Sequence, residues 1–173
     1  ILSLIKNSEC KLIMEPGRFI SGNSGILVTK VIYKKENDIG KKFVICDAAM
    51  NDLIRPALYD SFHRIWPVSA SVQMPQMENP DEKPPSIIGD GLEIVDIVGP
   101  VCESSDVFAK DRVFPGVNEN DLVAIFSAGA YGFTMSSSYN SRPRPCEVLV
   151  NGNKSDIIRI RETYHDLVAL EEM

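Results

Sequence analysis

Short apolar runs separated by polar breaks fill most of the chain, and their period changes near residue 19. Residues 1–6 (ILSLIK) have the apolar spacing of the tail of an amphipathic helix. Residues 11–14 (KLIM) are a short apolar run that Glu15-Pro16-Gly17-Arg18 ends. A helix tail, a short buried strand and a polar turn form the pattern that closes an α/β domain. The first 18 residues are too few to build such a domain, and the sequence opens on Ile1 rather than Met. The expectation is therefore a chain cut from something larger.

From Phe19 onward the period is that of strands. Residues 25–33 (GILVTKVIY) are β-branched and aromatic, and 42–46 (KFVIC) follow the turn Asn37-Asp38-Ile39-Gly40. Residues 92–98 (LEIVDIV) alternate with period two, and 121–126 (DLVAIF) are a further strand. Residues 147–150 and 156–161 flank Asn151-Gly152-Asn153, a hairpin signal. Many short strands with Gly and Pro between them predict a mainly β fold, a β-sandwich or barrel. Residues 52–62 (DLIRPALYDSF) predict a short helix capped by Asp52, with Pro56 in its first turn. Residues 74–86 are Pro-rich and acidic and predict an exposed loop, and 164–170 predict a closing helix.

Composition narrows the function. With 18 Lys+Arg against 24 Asp+Glu, the net charge is −6, which is not the footprint of a nucleic-acid or anionic-membrane binder. Neither partner is expected. The longest apolar runs, such as 122–126, are too short to cross a bilayer, and no stretch reads as a secretory leader. Cys10, Cys46, Cys102 and Cys146 form no CxxC pair and match no zinc or disulfide spacing, so a reduced cytoplasmic protein is expected. Cys10, Cys46 and Cys146 lie beside apolar residues and read as core fillers. His63 and His165 share no ligand spacing and read as surface or packing residues; no metal is expected.

Four polar islands interrupt the strands. Glu15-Pro16-Gly17-Arg18 places a carboxylate and a guanidinium after a predicted strand, where α/β folds bind ligands; an ion-paired turn is the alternative. Arg55 and Tyr59 are four apart and share a helix face, as a carboxylate receptor would require or as a surface arginine packed on a ring would. Cys102-Glu103 offers a thiol that can donate a proton and a carboxylate that can bind an ammonium, or else a buried thiol and a turn carboxylate. Ser127 to Phe133 surround Tyr131 with small residues, as a close ligand approach or a β-bulge would.

The order of these islands is more specific than any one of them. EPGR, DAAMNDLIRPALYD, GPVCESSD, SAGAYGF and MSSSYNSRPRPCEVLV together resemble the C-terminal part of the diaminopimelate decarboxylase family, pyridoxal-phosphate (PLP) enzymes of the alanine-racemase-like, group IV fold. The resemblance spans essentially the whole chain. It implies that residues 1–18 end an N-terminal PLP-binding (β/α)8 barrel, whose remainder is absent, and that 19–173 form the C-terminal β-domain. It implies decarboxylation of meso-2,6-diaminopimelate to L-lysine and CO2, in lysine biosynthesis, by a homodimer with shared active sites. The lysine that attaches PLP is not in this chain, so the chain alone is expected to be inactive.

The resemblance also implies roles. Glu15 pairs with the pyridine nitrogen of PLP, Gly17 allows close approach, Arg18 serves the cofactor phosphate and the substrate carboxylate, and Tyr131 contacts both. Arg55 and Tyr59 bind the distal carboxylate and Glu103 the distal ammonium. Cys102 is the proton donor. Ala49 and Ser105 stand where glycine is common. Two alternatives stand beside this reading. One is an ornithine, arginine or carboxynorspermidine decarboxylase of the same fold, in which a distal arginine has no partner and an aspartate commonly replaces Glu103. The other is a non-catalytic homologue acting as a binding or regulatory module.

Overall fold

The computed structural model describes residue 6 and residues 10–70, 72–73 and 89–171. The helix tail expected over 1–6, Lys6 apart, and the loop expected over 74–86 lie outside the described residues.

Six strands form one mixed sheet: β1 (Leu27–Glu36), β2 (Lys42–Cys46), β3 (Ile65–Pro67), β4 (Leu92–Val98), β5 (Val107–Pro115) and β6 (Leu122–Ile125), in spatial order β3-β6-β1-β2-β4-β5. All neighbours are antiparallel except β2 and β4. The sheet curls like a barrel. β1 pairs with β6 through Leu27 to Lys30, then with β2 from Val31 onward, across a bulge between Val31 and Tyr33. The two edge strands meet through Trp66 and Phe114, whose rings stand edge to face with centroids 6.0 Å apart. Inside lie Val31, Val44, Cys46, Leu53, Val95, Ile97, Phe108, Val123 and Ile125. The arrangement is the barrel alternative of the expected sandwich or barrel.

Most predicted strands are found within a residue or two. β3 and β5 were not predicted, for physical reasons. β3 is three residues long and ends on Pro67, too short to show a period. β5 carries Lys110-Asp111-Arg112 at its centre, and Asp111 adopts φ 48° at a register shift. The Asp111 N–H donates instead to the buried carboxylate of Asp96 at 2.8 Å. Lys41 donates to the same carboxylate at 2.9 Å, which explains why the alternation of β4 breaks at Asp96.

The described residues also form short α-helices: α1 (Gly17–Ser21), α2 (Arg55–Tyr59) and α3 (Tyr164–Val168). α3 carries a capping box between Thr163 and Asp166. Strands β7 (Glu147–Asn151) and β8 (Lys154–Arg159) form a separate hairpin whose turn uses Gly152 at φ 59°.

Several expectations need correction. Residues 11–14 form no strand, and Leu12, Ile13 and Met14 are exposed, since no described strand lies beside them to pair. Glu15-Pro16-Gly17-Arg18 leads directly into α1 rather than making a free turn. Cys10 is exposed and fills no core. Asp52 does not cap α2, whose N-cap is Ile54; its carboxylate accepts from the Ala49 N–H and the Asn51 amide and closes the turn before the helix.

Candidate functional site

α2 begins after a buried turn. Ala49 donates to Asp52 at 2.9 Å, the Asp52 N–H returns to the Ala49 carbonyl, and Leu53 drops into the core. This fixes where Arg55 leaves the sheet. Pro56, in the first turn, lacks only an N–H that would have had no helical acceptor. Asp60 ends the helix at φ 52°, and Ser61 folds back to receive the Arg55 side chain at 3.2 Å.

The guanidinium carbon of Arg55 therefore lies 5.4 Å from the Tyr59 ring centroid and 5.3 Å from that of Tyr131. The shared face predicted for Arg55 and Tyr59 is present, and Tyr131 joins it from another loop. Arg55 Nε is buried and has no hydrogen-bond partner. Among the described residues no carboxylate pairs with this cation. A half-buried guanidinium beside two rings, with an unused donor, has the chemistry that an anion receptor needs.

Tyr131 is placed by a turn with two non-glycine left-handed residues, Ser127 at φ 58° and Tyr131 at φ 60°. Such residues persist only where neighbours hold them. Here Ala128 and Gly129 donate to the carbonyls of Gly25 and Gly22, and Ser127 Oγ donates to Asn23 at 2.7 Å. Gly25 and Gly129 lie back to back: a Cβ on Gly129 would stand 2.3 Å from the Ser21 carbonyl, so only glycine fits. The Tyr131 hydroxyl lies 3.6 Å from where a Gly17 Cβ would be, which brings the start of α1 to the same place. Arg18 lines an adjoining cleft of about 380 Å³ with Phe19, Gly22, Asn23 and Ser127. Glu15 is exposed just before α1.

Cys102 and Glu103 form a second cluster on the β4–β5 loop, both exposed. Asp106 shapes this loop, accepting from the Val101 N–H at 2.8 Å and the Met50 N–H at 2.7 Å. Burial pushes its carboxyl above the ordinary value despite these bonds. Gly99 leaves room for this carboxylate, because a Cβ there would stand 2.3 Å from it and would have to displace it. Glu103 accepts from the Tyr139 hydroxyl at 3.2 Å, which raises the phenol's pKa. The Tyr139 loop is tied to the same hub as Asp106. Ser137 donates to the Asn51 carbonyl, and Arg142 donates to the Asn51 side chain and the Asp47 carbonyl. Among the described residues no hydrogen bond, ion pair or ring contact joins Cys102 or Glu103 to Arg18, Arg55 or Tyr131.

The structure thus brings Gly17, Arg55, Tyr59 and Tyr131 to one region, with Arg18 at an adjoining cleft, and shows no contact from Cys102 or Glu103 to them among the described residues. The sequence reading had put all of these, with Glu15, around one substrate and cofactor. It assigned nothing to Tyr139, Asp106 or Ser61. Tyr139 lies inside a quoted motif without a role, and Asp106 closes a loop opened by Gly99-Pro100, which is the one signal available. Cys46, by contrast, is inert: burial pushes its thiol to about 12.

The sequence profile described as the pyridoxal-dependent decarboxylase C-terminal sheet domain matches residues 13–129. Diaminopimelate decarboxylase of Zymomonas mobilis is 48% identical over 99% of this chain, which covers 36% of that protein. The enzyme of the same name from Vibrio cholerae is 46% identical over 98% of this chain and is covered to 36%. The crystal structure of diaminopimelate decarboxylase from Helicobacter pylori complexed with L-lysine superposes with a TM-score of 0.76 at 41% identity, covering 99% of this chain and 38% of that one. The chain thus spans a little over a third of these relatives.

Proposed function

This chain belongs to the pyridoxal-dependent decarboxylase family, and from that premise we propose that the polypeptide carrying it decarboxylates meso-2,6-diaminopimelate to L-lysine and CO2. The observation that carries the substrate is Arg55, a guanidinium stacked between Tyr59 and Tyr131 with a buried, unused Nε–H. Diaminopimelate has a second carboxylate at its far end, and a diamine-forming substrate has none. A cation already oriented by two rings loses little freedom on binding such a group.

The residues present fit the cofactor. Gly17 has no side chain to obstruct it, Tyr131 is held in a strained turn, and Arg18 borders a cleft with Asn23 and Ser127, where its guanidinium suits an anionic end. In this reading Gly17, Arg18 and Tyr131 hold PLP, and Glu15 keeps its pyridine nitrogen protonated. Bound PLP supplies an electron sink for the bond that releases CO2. Arg18 also serves the substrate carboxylate. Arg55 and Tyr59 orient the distal carboxylate, Glu103 binds the distal ammonium, and Cys102 Sγ carries the proton delivered to the substrate carbon that has lost CO2. Glu103 and Cys102 are exposed and unconnected to Arg55 within this chain, which supports a homodimer in which they complete the neighbour's site.

Lys41 and Lys42 are unsuited to attaching PLP. Their pKa values are raised by hydrogen bonds to Asp96 and Glu93 respectively, the opposite of what a nucleophilic lysine needs. The attaching lysine belongs to an N-terminal barrel of which 1–18 are the end, and 19–173 are the β-domain. Four free thiols fit a reducing, cytoplasmic setting.

The test is CO2 release by the full polypeptide with PLP from diaminopimelate, ornithine, arginine and carboxynorspermidine. Diaminopimelate should be the preferred substrate and the 173-residue chain alone should be silent. Preference for a diamine-forming substrate, or no turnover of any, would sink the reading.

A further inference from the structure

His63 is 1% exposed and lies beside the Arg55 helix rather than on the surface. Its Nδ1 is 2.8 Å from the Phe126 carbonyl. A carbonyl only accepts, so Nδ1 carries the proton and Nε2 bears the lone pair in the neutral ring. Nε2 is buried without a partner. The Phe126 N–H donates to the Arg64 carbonyl at 2.8 Å, so both backbone groups of Phe126 are held by residues 63 and 64. Phe126 is the last residue before Ser127, where the left-handed turn carrying Tyr131 begins. The imidazole therefore fastens the root of the loop whose far end stacks on Arg55.

We propose that His63 is a positioning residue of this site: its Nδ1–H fixes the Phe126 carbonyl, and so sets where Tyr131 meets Arg55. Among the described residues the charged groups that act on the ring or on its backbone are cationic. They are Arg18 from α1, Arg55 from α2 and Arg112 from β5, whose Nη1 donates to the His63 carbonyl at 3.4 Å. Burial first, then Arg18 and Arg55, hold the ring's pKa below the ordinary 6.5, while the bond to Phe126 opposes them. The neutral ring is thus the working form. A proton on Nε2 would add a further positive charge beside the proposed anion receptor.

Two measurements on the full holoenzyme test this. The kinetic one rests on the diaminopimelate reading; the spectroscopic one does not, so the two can fail separately. His63→Leu should raise KM for diaminopimelate roughly three- to tenfold per active site, the worth of one hydrogen bond, with a smaller change in kcat. His63→Asn places an amide N–H near the position of Nδ1 and should recover most of that loss. A His63→Leu enzyme with fewer active sites but unchanged KM, or an Asn variant no better than Leu, would overturn the proposal. Nitrogen-15 spectra of histidine-labelled enzyme, assigned by difference with His63→Asn, should show Nδ1 protonated and no titration of the ring near 6.5. A proton on Nε2 instead, or a titration at the ordinary value, would overturn it equally, even if His63→Leu failed to fold.

Discussion

At the scale of single residues, the site depends on side chains whose neighbours are far away in sequence. The four-residue spacing of Arg55 and Tyr59 was legible, because helix geometry alone puts them on one face. That Tyr131 joins Arg55 and Tyr59 was not legible, since its place comes from a left-handed turn held by Gly22, Asn23 and Gly25. Of the surface and packing alternatives for His63 the structure has the packing one, and its bond to the Phe126 carbonyl, 63 residues away, was not legible because a lone histidine carries no spacing signal. Tyr139 was passed over for the same reason. Its hydroxyl orients Glu103, so Tyr139→Phe should raise KM for diaminopimelate roughly three- to tenfold, with kcat nearly unchanged. Steady-state kinetics decide this, and an unchanged KM would separate Tyr139 from the distal ammonium.

At the scale of elements, strands with clean alternation and turn residues at their ends were read closely, β2 and β4 to the residue. The reading failed where tertiary contacts override the period, as at Asp111 in β5 and Asp52 before α2. The β4–β5 loop gives a sharper test. Asp106 satisfies two backbone N–H groups, and its loss leaves them unpaired at a cost of about 1–3 kcal/mol each at most. Asp106→Ala should therefore lower the denaturant midpoint and loosen Cys102 and Glu103. Gly99→Ala should reproduce the effect, because its methyl group would occupy the carboxylate's place. Chemical denaturation of both variants checks this; a neutral Gly99→Ala would mean that the Asp106 carboxylate does not fill the space beside Gly99.

At the scale of the molecule, the described residues include two apolar surfaces that nothing covers. One is the extended segment and α1, with Ile13, Met14, Phe19 and Ile20 exposed; the other is the β7–β8 hairpin, with Val150, Ile157 and Ile158 exposed. A two-stranded hairpin is marginal alone, and monomers seldom leave such patches bare. Both facts agree with a chain covering little more than a third of its relatives. The β fold was legible from pattern, whereas the function came from the order of the islands, which no single spacing carries. The claim on which the account turns is that Arg55 selects a substrate with a distal carboxylate. The direct measurement is the ratio of kcat/KM for diaminopimelate to that for lysine, which lacks that carboxylate, in the full holoenzyme and in its Arg55→Ala variant. The account predicts that the substitution lowers the ratio roughly 10- to 100-fold, as expected for a charged hydrogen bond to a charged partner. A ratio that Arg55→Ala leaves unchanged would contradict it.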